Sequence, residues 1–106
     1  MNENELMALA NENIMNTYKR FPVVLVKGAG QKVWDINGKE YLDFVAGIAV
    51  CNLGHCHPKV VAALQQQAGK LFHVSNLYHI EPQIKLARLL TEYSFADKVF
   101  FCNSGA

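Results

Sequence analysis

An α+β fold is the class that the sequence predicts for these 106 residues. Three observations carry it. The chain opens on a helix-start signal, and residues 23–44 then read as three short β runs joined by turns. Two proline-opened amphipathic stretches follow, ahead of a last apolar run at Val99–Cys102. β runs and helical runs that are segregated along the chain, rather than alternating, mark α+β organisation.

Asn2-Glu3-Asn4-Glu5 has the layout of a capping box, in which an N-cap side chain and a Glu three residues later satisfy each other's backbone donors. Leu6, Ala10, Ile14 and Tyr18 recur every four residues and predict an amphipathic helix to about Thr17, ahead of Pro22. Val23–Val26 is β-branched and apolar, and Lys27-Gly28-Ala29-Gly30 reads as the turn that ends it. Lys32–Ile36 and Glu40–Phe44 flank Asn37-Gly38, the pair a type I′ hairpin favours because both its central residues need positive φ. Together these runs predict a small antiparallel meander.

Residues 45–56 follow neither a period of 2 nor one of 3.6, and Val45-Ala46-Gly47-Ile48-Ala49-Val50 is apolar throughout. A loop this hydrophobic is expected to be buried or to line a pocket. Helices are predicted from Pro58 to about Leu71 and from Pro82 to about Tyr93, each with proline in its first turn, where a missing N–H does no harm. Val61, Leu64, Ala68 and Leu71 form one apolar stripe, and Ile84, Ala87, Leu90 and Tyr93 form the other. The connector Phe72–His79 is irregular, aromatic and polar. Val99–Cys102 reads as a buried strand, followed by the small-residue turn Asn103-Ser104-Gly105-Ala106. A strand, a Gly-containing turn and a helix N-terminus make an anion site, because free N–H groups and the helix dipole converge there. Taken alone that signal is weak, since small residues after a strand are common.

Composition bounds the rest. The chain is 51% hydrophobic and 18% charged, which belongs to a folded globular protein rather than a disordered one. The apolar share also suits a chain that buries surface against a larger body or a second subunit. A net charge of +1 gives no electrostatic argument for nucleic acid or an anionic membrane as partner. No run of about 18 apolar residues is present, so no membrane-spanning helix is expected. Met1–Glu5 is acidic, unlike the basic start of a secretory signal, and the odd set Cys51, Cys56 and Cys102 has no disulfide-framework spacing. A reducing cytoplasm is the expected location.

His55-Cys56-His57, with Cys51 just upstream, invites a metal reading. Three consecutive side chains do not converge readily on a tetrahedral ion, and no second ligand pair stands downstream at zinc spacing. His57 is instead expected to cap the helix at Pro58, with Cys56 packed inside. Ser75 near His73, or Ser104 with any histidine, could be drawn as nucleophile and base, but a turn serine is usually a local hydrogen-bonding residue. Tyr18, Tyr78 and His79 read singly as half-buried edges with wet polar tips.

The blocks Val26–Gly30, Val33–Phe44, Ala46–Val50, Leu53–Pro58, Ser75–Tyr78, Glu81-Pro82 and Phe100–Ala106, in that order and at consistent spacing, carry a more specific signal. They resemble the N-terminal quarter of the class III (ω-) aminotransferases, fold-type I enzymes that use pyridoxal 5′-phosphate (PLP). Within that class the pattern is most similar to members acting on N2-acetylornithine. The resemblance implies that residues 1–58 are the N-terminal segment of the small domain and that 59–106 begin the large PLP-binding domain, with Val99–Cys102 as its first strand. Ser104, Gly105 and Ala106 match the turn whose backbone N–H groups and serine hydroxyl hold the PLP phosphate. Tyr18 aligns with a tyrosine that reaches the α-amino and carboxylate end of the substrate in ornithine-using relatives. Ile48 stands where ornithine δ-aminotransferases carry a second substrate tyrosine and GABA aminotransferases an isoleucine. An apolar group there is compatible with an acylated α-nitrogen, which has lost its charge and needs no polar partner. His79 stands where relatives often carry another aromatic.

The implied reaction passes the ω-amino group of N2-acetylornithine to 2-oxoglutarate, giving N-acetylglutamate 5-semialdehyde and glutamate in arginine biosynthesis. The implied partners are those small molecules and a second copy in a homodimer. The family's cofactor lysine, the acidic partner of the pyridine nitrogen, the ring-stacking aromatic and the carboxylate-binding arginine match nothing in these 106 residues. No catalytic or metal residue is therefore assigned, and the chain by itself is expected to be inactive. Succinylornithine, GABA or ornithine as substrate, and a non-catalytic self-associating α+β module, are the alternatives.

Overall fold

The computed structural model describes residues 1–104; Gly105 and Ala106 lie outside the described residues. Two compact units make up the chain, Met1–Gly69 and the segment from Lys70 onward.

In the first unit α1 spans Glu3–Asn13 and carries the expected capping box. The Asn2 side chain accepts from the Glu5 N–H at 3.0 Å, and the Glu5 carboxylate accepts from the Asn2 N–H at 2.9 Å. The helix is shorter than predicted. Asn13 turns its Nδ2 back onto the Leu9 carbonyl, and Ile14 leaves the helix in an extended conformation. A polar side chain that competes for the last carbonyls, followed by a β-branched residue, favours this early end. Ile14 and Tyr18 are therefore exposed outside the helix instead of extending its stripe. Glu3 ties α1 to the meander by accepting from the Val24 N–H at 3.1 Å and from Asn37 Nδ2 at 2.7 Å.

The meander is a three-stranded antiparallel sheet in the order β1 (Leu25–Ala29), β2 (Lys32–Asp35), β3 (Glu40–Leu42). Lys27–Ala29 continues β1, so the predicted turn moves to Gly30-Gln31, with Gly30 at φ +56°. The cross-strand partner explains this. Lys27 sits opposite Trp34 with its ammonium 4.7 Å from the ring centre, a cation–π pair that rewards strand extension. A bulge between Leu25 and Lys27 shifts the register beyond that pair, so that Leu25 stands opposite Asp35.

The second reversal also differs in detail from the expected type I′ turn. Only Gly38 has positive φ (+85°), while the Gly38 N–H donates to the Asp35 carbonyl and the Asp35 N–H to the Lys39 carbonyl. That is a three-residue loop, a type I turn closed by a glycine bulge. Asp35 organises it. Its Oδ1 accepts from the Asn37 and Lys39 N–H groups at 2.9 Å each, and its Oδ2 accepts from the Tyr41 hydroxyl at 2.7 Å. Asp35 is 5% exposed and Val33 8%, so burial is deepest on the face of β2 that carries these two residues.

After β3 comes α2, a single turn over Ala46–Ala49 that winds left-handed. α3 spans Pro58–Ala68 and is capped by His57, whose Nδ1 accepts from the Lys59 N–H as expected. It ends at Gly69, short of the expected Leu71, where glycine's poor helix propensity stops propagation. Cys56 is exposed rather than packed inside, because it takes a left-handed φ of +52° just before the cap.

In the second unit α4 spans Glu81–Glu92, with Pro82 in its first turn and a Glu81–Lys85 pair one turn apart. Val99–Cys102 joins no β ladder among the described residues, contrary to the strand reading. A strand exists through a neighbour's N–H and C=O groups, and no described segment offers this run a partner edge. No helix among the described residues is long and apolar enough to cross a membrane.

Val33 is the one buried hydrophobic side chain described. Phe44, Val45, Val50, Leu64, Phe72, Leu77, Phe95 and Phe100 are all exposed. Of the expectation that the 45–50 loop is buried or lines a pocket, burial is corrected, since Val45, Ile48 and Val50 are exposed, while Ala46 does line a cavity. Monomeric soluble proteins seldom leave so many large apolar side chains open. The 106-residue chain by itself is expected to self-associate at micromolar concentration. Light scattering checks this, and a monodisperse monomer would contradict it.

Candidate functional site

The site grows from the end of β3. Asp43 follows the strand, and its own N–H donates to the Gln31 carbonyl at 2.8 Å, extending the ladder by one bond. Its carboxylate Oδ1 then accepts from the Val45 N–H at 2.8 Å and the Ala46 N–H at 2.9 Å, which reverses the chain locally. Small acceptors placed two and three residues before an N–H make such turns. The reversal runs straight into α2, where Ala46, Gly47, Ile48 and Ala49 have φ of 50°, 64°, 59° and 61°. L-residues other than glycine resist this region by about 1–2 kcal/mol each. The Ala49 N–H reaches the Val45 carbonyl, and the Val50 and Cys51 N–H groups share the Ala46 carbonyl.

The loop returns at His55. Its Nε2 lies 2.6 Å from Asp43 Oδ2, with both side chains largely shielded. Its backbone forms a two-bond bridge with Gly30, N–H to carbonyl in each direction at 2.8 and 2.9 Å. Two glycines permit the approach. A methyl group at Gly28 would stand 2.7 Å from His55 Cβ and Cγ, and one at Gly54 would stand 3.0 Å from the Gly30 backbone. A cavity of about 300 Å³ opens here, lined by Gly30, Asp43, Ala46, Cys51, Leu53 and His55.

The electrostatics follow from these bonds. The Ala46 N–H, the His55 imidazole and the Val45 N–H hold the Asp43 carboxyl below its ordinary value of 3.8. The Tyr41 hydroxyl, helped by the Lys39 and Asn37 N–H groups, holds Asp35 below 3.8 in the same way. A carboxyl with a depressed folded-state pKa stabilises the fold above its unfolded pKa and loses that contribution as pH falls through the folded value. Protection of the Asn37, Lys39, Val45 and Ala46 amides against hydrogen exchange is therefore expected to hold from neutral pH down to about 3.8 and to collapse below it. Loss of protection already near neutrality would contradict this, as would protection that survives full protonation.

Ile48 stands at the middle of the left-handed turn and is 86% exposed, an apolar group held out by strained backbone. Tyr18 lies in the segment between α1 and β1 and is 74% exposed. Ser104 is exposed, and its carbonyl accepts from the Cys102 thiol at 2.9 Å. Gly105 and Ala106, the other two residues of the expected phosphate turn, lie outside the described residues. Ser104 fits the expected role, since it is exposed and a serine hydroxyl is a donor of the right kind for a phosphate oxygen. Tyr18, Tyr78 and His79, each read as half-buried, are all exposed. The His55-Cys56-His57 trio divides its work, with His55 on Asp43 and His57 on the α3 cap. No cluster of three His, Cys, Asp or Glu side chains suited to a metal ion occurs among the described residues.

Asp43 and His55 were not legible as a pair. The signal available was an Asp placed straight after a strand and before small residues, which is an Asx-turn position. Nothing in the spacing of twelve residues marks His55 as its partner.

The profile of the family described as Aminotransferase class-III matches residues 14–106. The chain belongs to the class-III aminotransferases. An acetylornithine aminotransferase from a Nostoc species is 61% identical over 94 residues, covering 89% of this chain and 22% of that protein. Its counterpart from Methanocaldococcus jannaschii is 55% identical over 106 residues, covering 100% of this chain and 27% of that protein. Among solved structures, an ornithine aminotransferase from Toxoplasma gondii with partial PLP occupancy at its active site superposes with a TM-score of 0.87 at 37% identity, covering 92% of this chain and 23% of that one. This class-III chain thus spans about a quarter of the length of the relatives it matches.

Proposed function

We propose that this chain is the N-terminal part of a PLP-dependent aminotransferase that moves the ω-amino group of N2-acetylornithine to 2-oxoglutarate. The observation that carries the reading is the 52–62% identity to proteins named acetylornithine aminotransferase, over 86–100% of the chain. Residues 1–58 then belong to the small domain and 59–106 begin the large one. The enzyme works in arginine biosynthesis, as a homodimer in the cytoplasm.

In this reading the backbone N–H groups of Ser104, Gly105 and Ala106, with the Ser104 hydroxyl, hold the phosphate of PLP, as small turns do for anions generally. When bound, PLP supplies the electron sink for amino transfer. This segment contributes binding and orientation. Tyr18 approaches the polar α-end of the substrate with its hydroxyl, and Ile48 covers the acylated α-nitrogen with an apolar surface that also keeps water from it. Burying an uncharged amide against Ile48 avoids the penalty that a buried ammonium would incur there. Identity to ornithine aminotransferases supports ornithine as the second reading, and Ile48 argues against it.

The test is a product assay. The full-length enzyme, given acetylornithine, 2-oxoglutarate and PLP, is expected to form glutamate and the semialdehyde in equal amounts. The 106-residue chain under the same conditions is expected to form neither. Glutamate formation by the short chain would contradict its assignment as a non-catalytic segment, and no glutamate from the full-length enzyme would contradict the substrate.

A further inference from the structure

We propose that Asp43 and His55 form a positioning latch that fixes the left-handed turn at Ala46–Ala49 and so sets where Ile48 stands against the substrate. The inference rests on the reading above that Ile48 faces the substrate. Three left-handed non-glycine residues in one turn are not stable by themselves, so something must hold both ends. Both ends are held at the same place. Asp43 is bonded through its N–H to Gln31, and His55 is bridged through its backbone to Gly30, so the loop starts and finishes on the two residues of the β1–β2 reversal.

The side chains then close the ring. One carboxylate oxygen takes the Val45 and Ala46 N–H groups that begin the turn, and the other takes His55. A single carboxylate therefore couples loop entry, loop exit and the handedness of the turn. Charge-assisted bonds of this kind are among the stronger and more directional ones available. Gly28 leaves room for the imidazole and Gly54 for the Gly30 backbone, so the latch is seated against the sheet rather than free in solution. Ile48 has no anchor of its own and stands out from the turn, so its position is the position of the turn. Asp43 and His55 are thus positioning residues that act through Ile48.

The experiment uses the full-length enzyme and a double-mutant cycle between Asp43→Asn and Ile48→Ala. Asp43→Asn keeps the shape and an acceptor for Val45 and Ala46 but loses the carboxylate charge that faces His55. It is expected to raise KM for acetylornithine about tenfold, the scale of one lost hydrogen bond to a charged group. KM for 2-oxoglutarate and kcat are expected to stay within about twofold, a change too small to signal lost transition-state binding. In Ile48→Ala the same Asp43→Asn change is expected to have little further effect, because linked sites are non-additive. Additive effects, or equal loss for both substrates, would overturn the latch. Hydrogen exchange gives a readout independent of activity: amides 44–51 are expected to exchange about tenfold faster in Asp43→Asn, with the β2–β3 ladder unchanged. Unchanged exchange at 44–51 would overturn the latch even if acetylornithine proves not to be the substrate, while faster exchange with no acetylornithine turnover in the parent enzyme would fault the substrate alone. If Asp43→Asn does not fold, His55→Gln against His55→Ala carries the test. Gln retains a donor for Asp43 and is expected to rescue both KM and exchange, and failure to rescue either would count against the latch.

Discussion

Gly54→Ala is expected to be the most destabilising small substitution in the first unit. Gly54 has φ +84°, so alanine there incurs about 1–2 kcal/mol of left-handed strain from backbone conformation alone. Its methyl group would also stand 3.0 Å from the Gly30 Cα and carbonyl oxygen, which are backbone atoms that cannot swing aside. Forcing that contact adds about 1–3 kcal/mol, in line with overpacked cores generally. The two terms act on the same bridge, because the Gly30–His55 bonds are what hold the two segments together. The full-length Gly54→Ala protein is expected to show a lowered thermal midpoint and lost exchange protection at the Gly30 and His55 amides. Gly69→Ala is the control. Gly69 has a φ of −82° and a methyl group there would meet only the Gln66 carbonyl at 4.0 Å, an ordinary contact, so alanine is expected to be neutral or mildly stabilising. Equal behaviour of the two variants would contradict the close-approach account.

Ile48→Tyr carries the largest expected change in specificity. With the residue exposed at the centre of a strained turn, a larger aromatic side chain can be accommodated without disturbing a packed core. Its hydroxyl would offer the charged α-ammonium of unacylated ornithine a hydrogen-bond partner that isoleucine cannot. It would also crowd the acyl group of acetylornithine. The ratio of kcat/KM for ornithine over acetylornithine is expected to rise by about 10–100-fold, the range that one polar contact in a substrate pocket commands. A ratio unchanged within about twofold, too small for a gained or lost contact, would remove Ile48 from the substrate site.

Features read locally in the sequence were the ones that survived in the structure. The Asn2–Glu5 capping box, the His57 cap with Pro58 behind it, and the Gly38 reversal depend on residues three or four apart, and each is present. The boundaries that moved depended on partners across the fold. Lys27 stayed in β1 because Trp34 stands opposite it. Val99–Cys102 shows the same dependence in reverse, being apolar with no described edge to pair with. The candidate site was legible in part. Ile48 was singled out through the family resemblance, but its left-handed backbone was not, because alanine and isoleucine have no intrinsic preference for positive φ. Nor was the Asp43–His55 pair, whose meeting depends on two glycines clearing space on a neighbouring strand and loop.

The most direct test of the account is the substrate selectivity of the full-length enzyme. With 2-oxoglutarate as acceptor and PLP present, kcat/KM for N2-acetylornithine is expected to exceed that for ornithine and for GABA by at least about tenfold, equivalent to one substrate contact. A preference for ornithine or GABA, or equal rates with all three, would contradict the assignment of Ile48 as the residue that fits an acylated α-nitrogen.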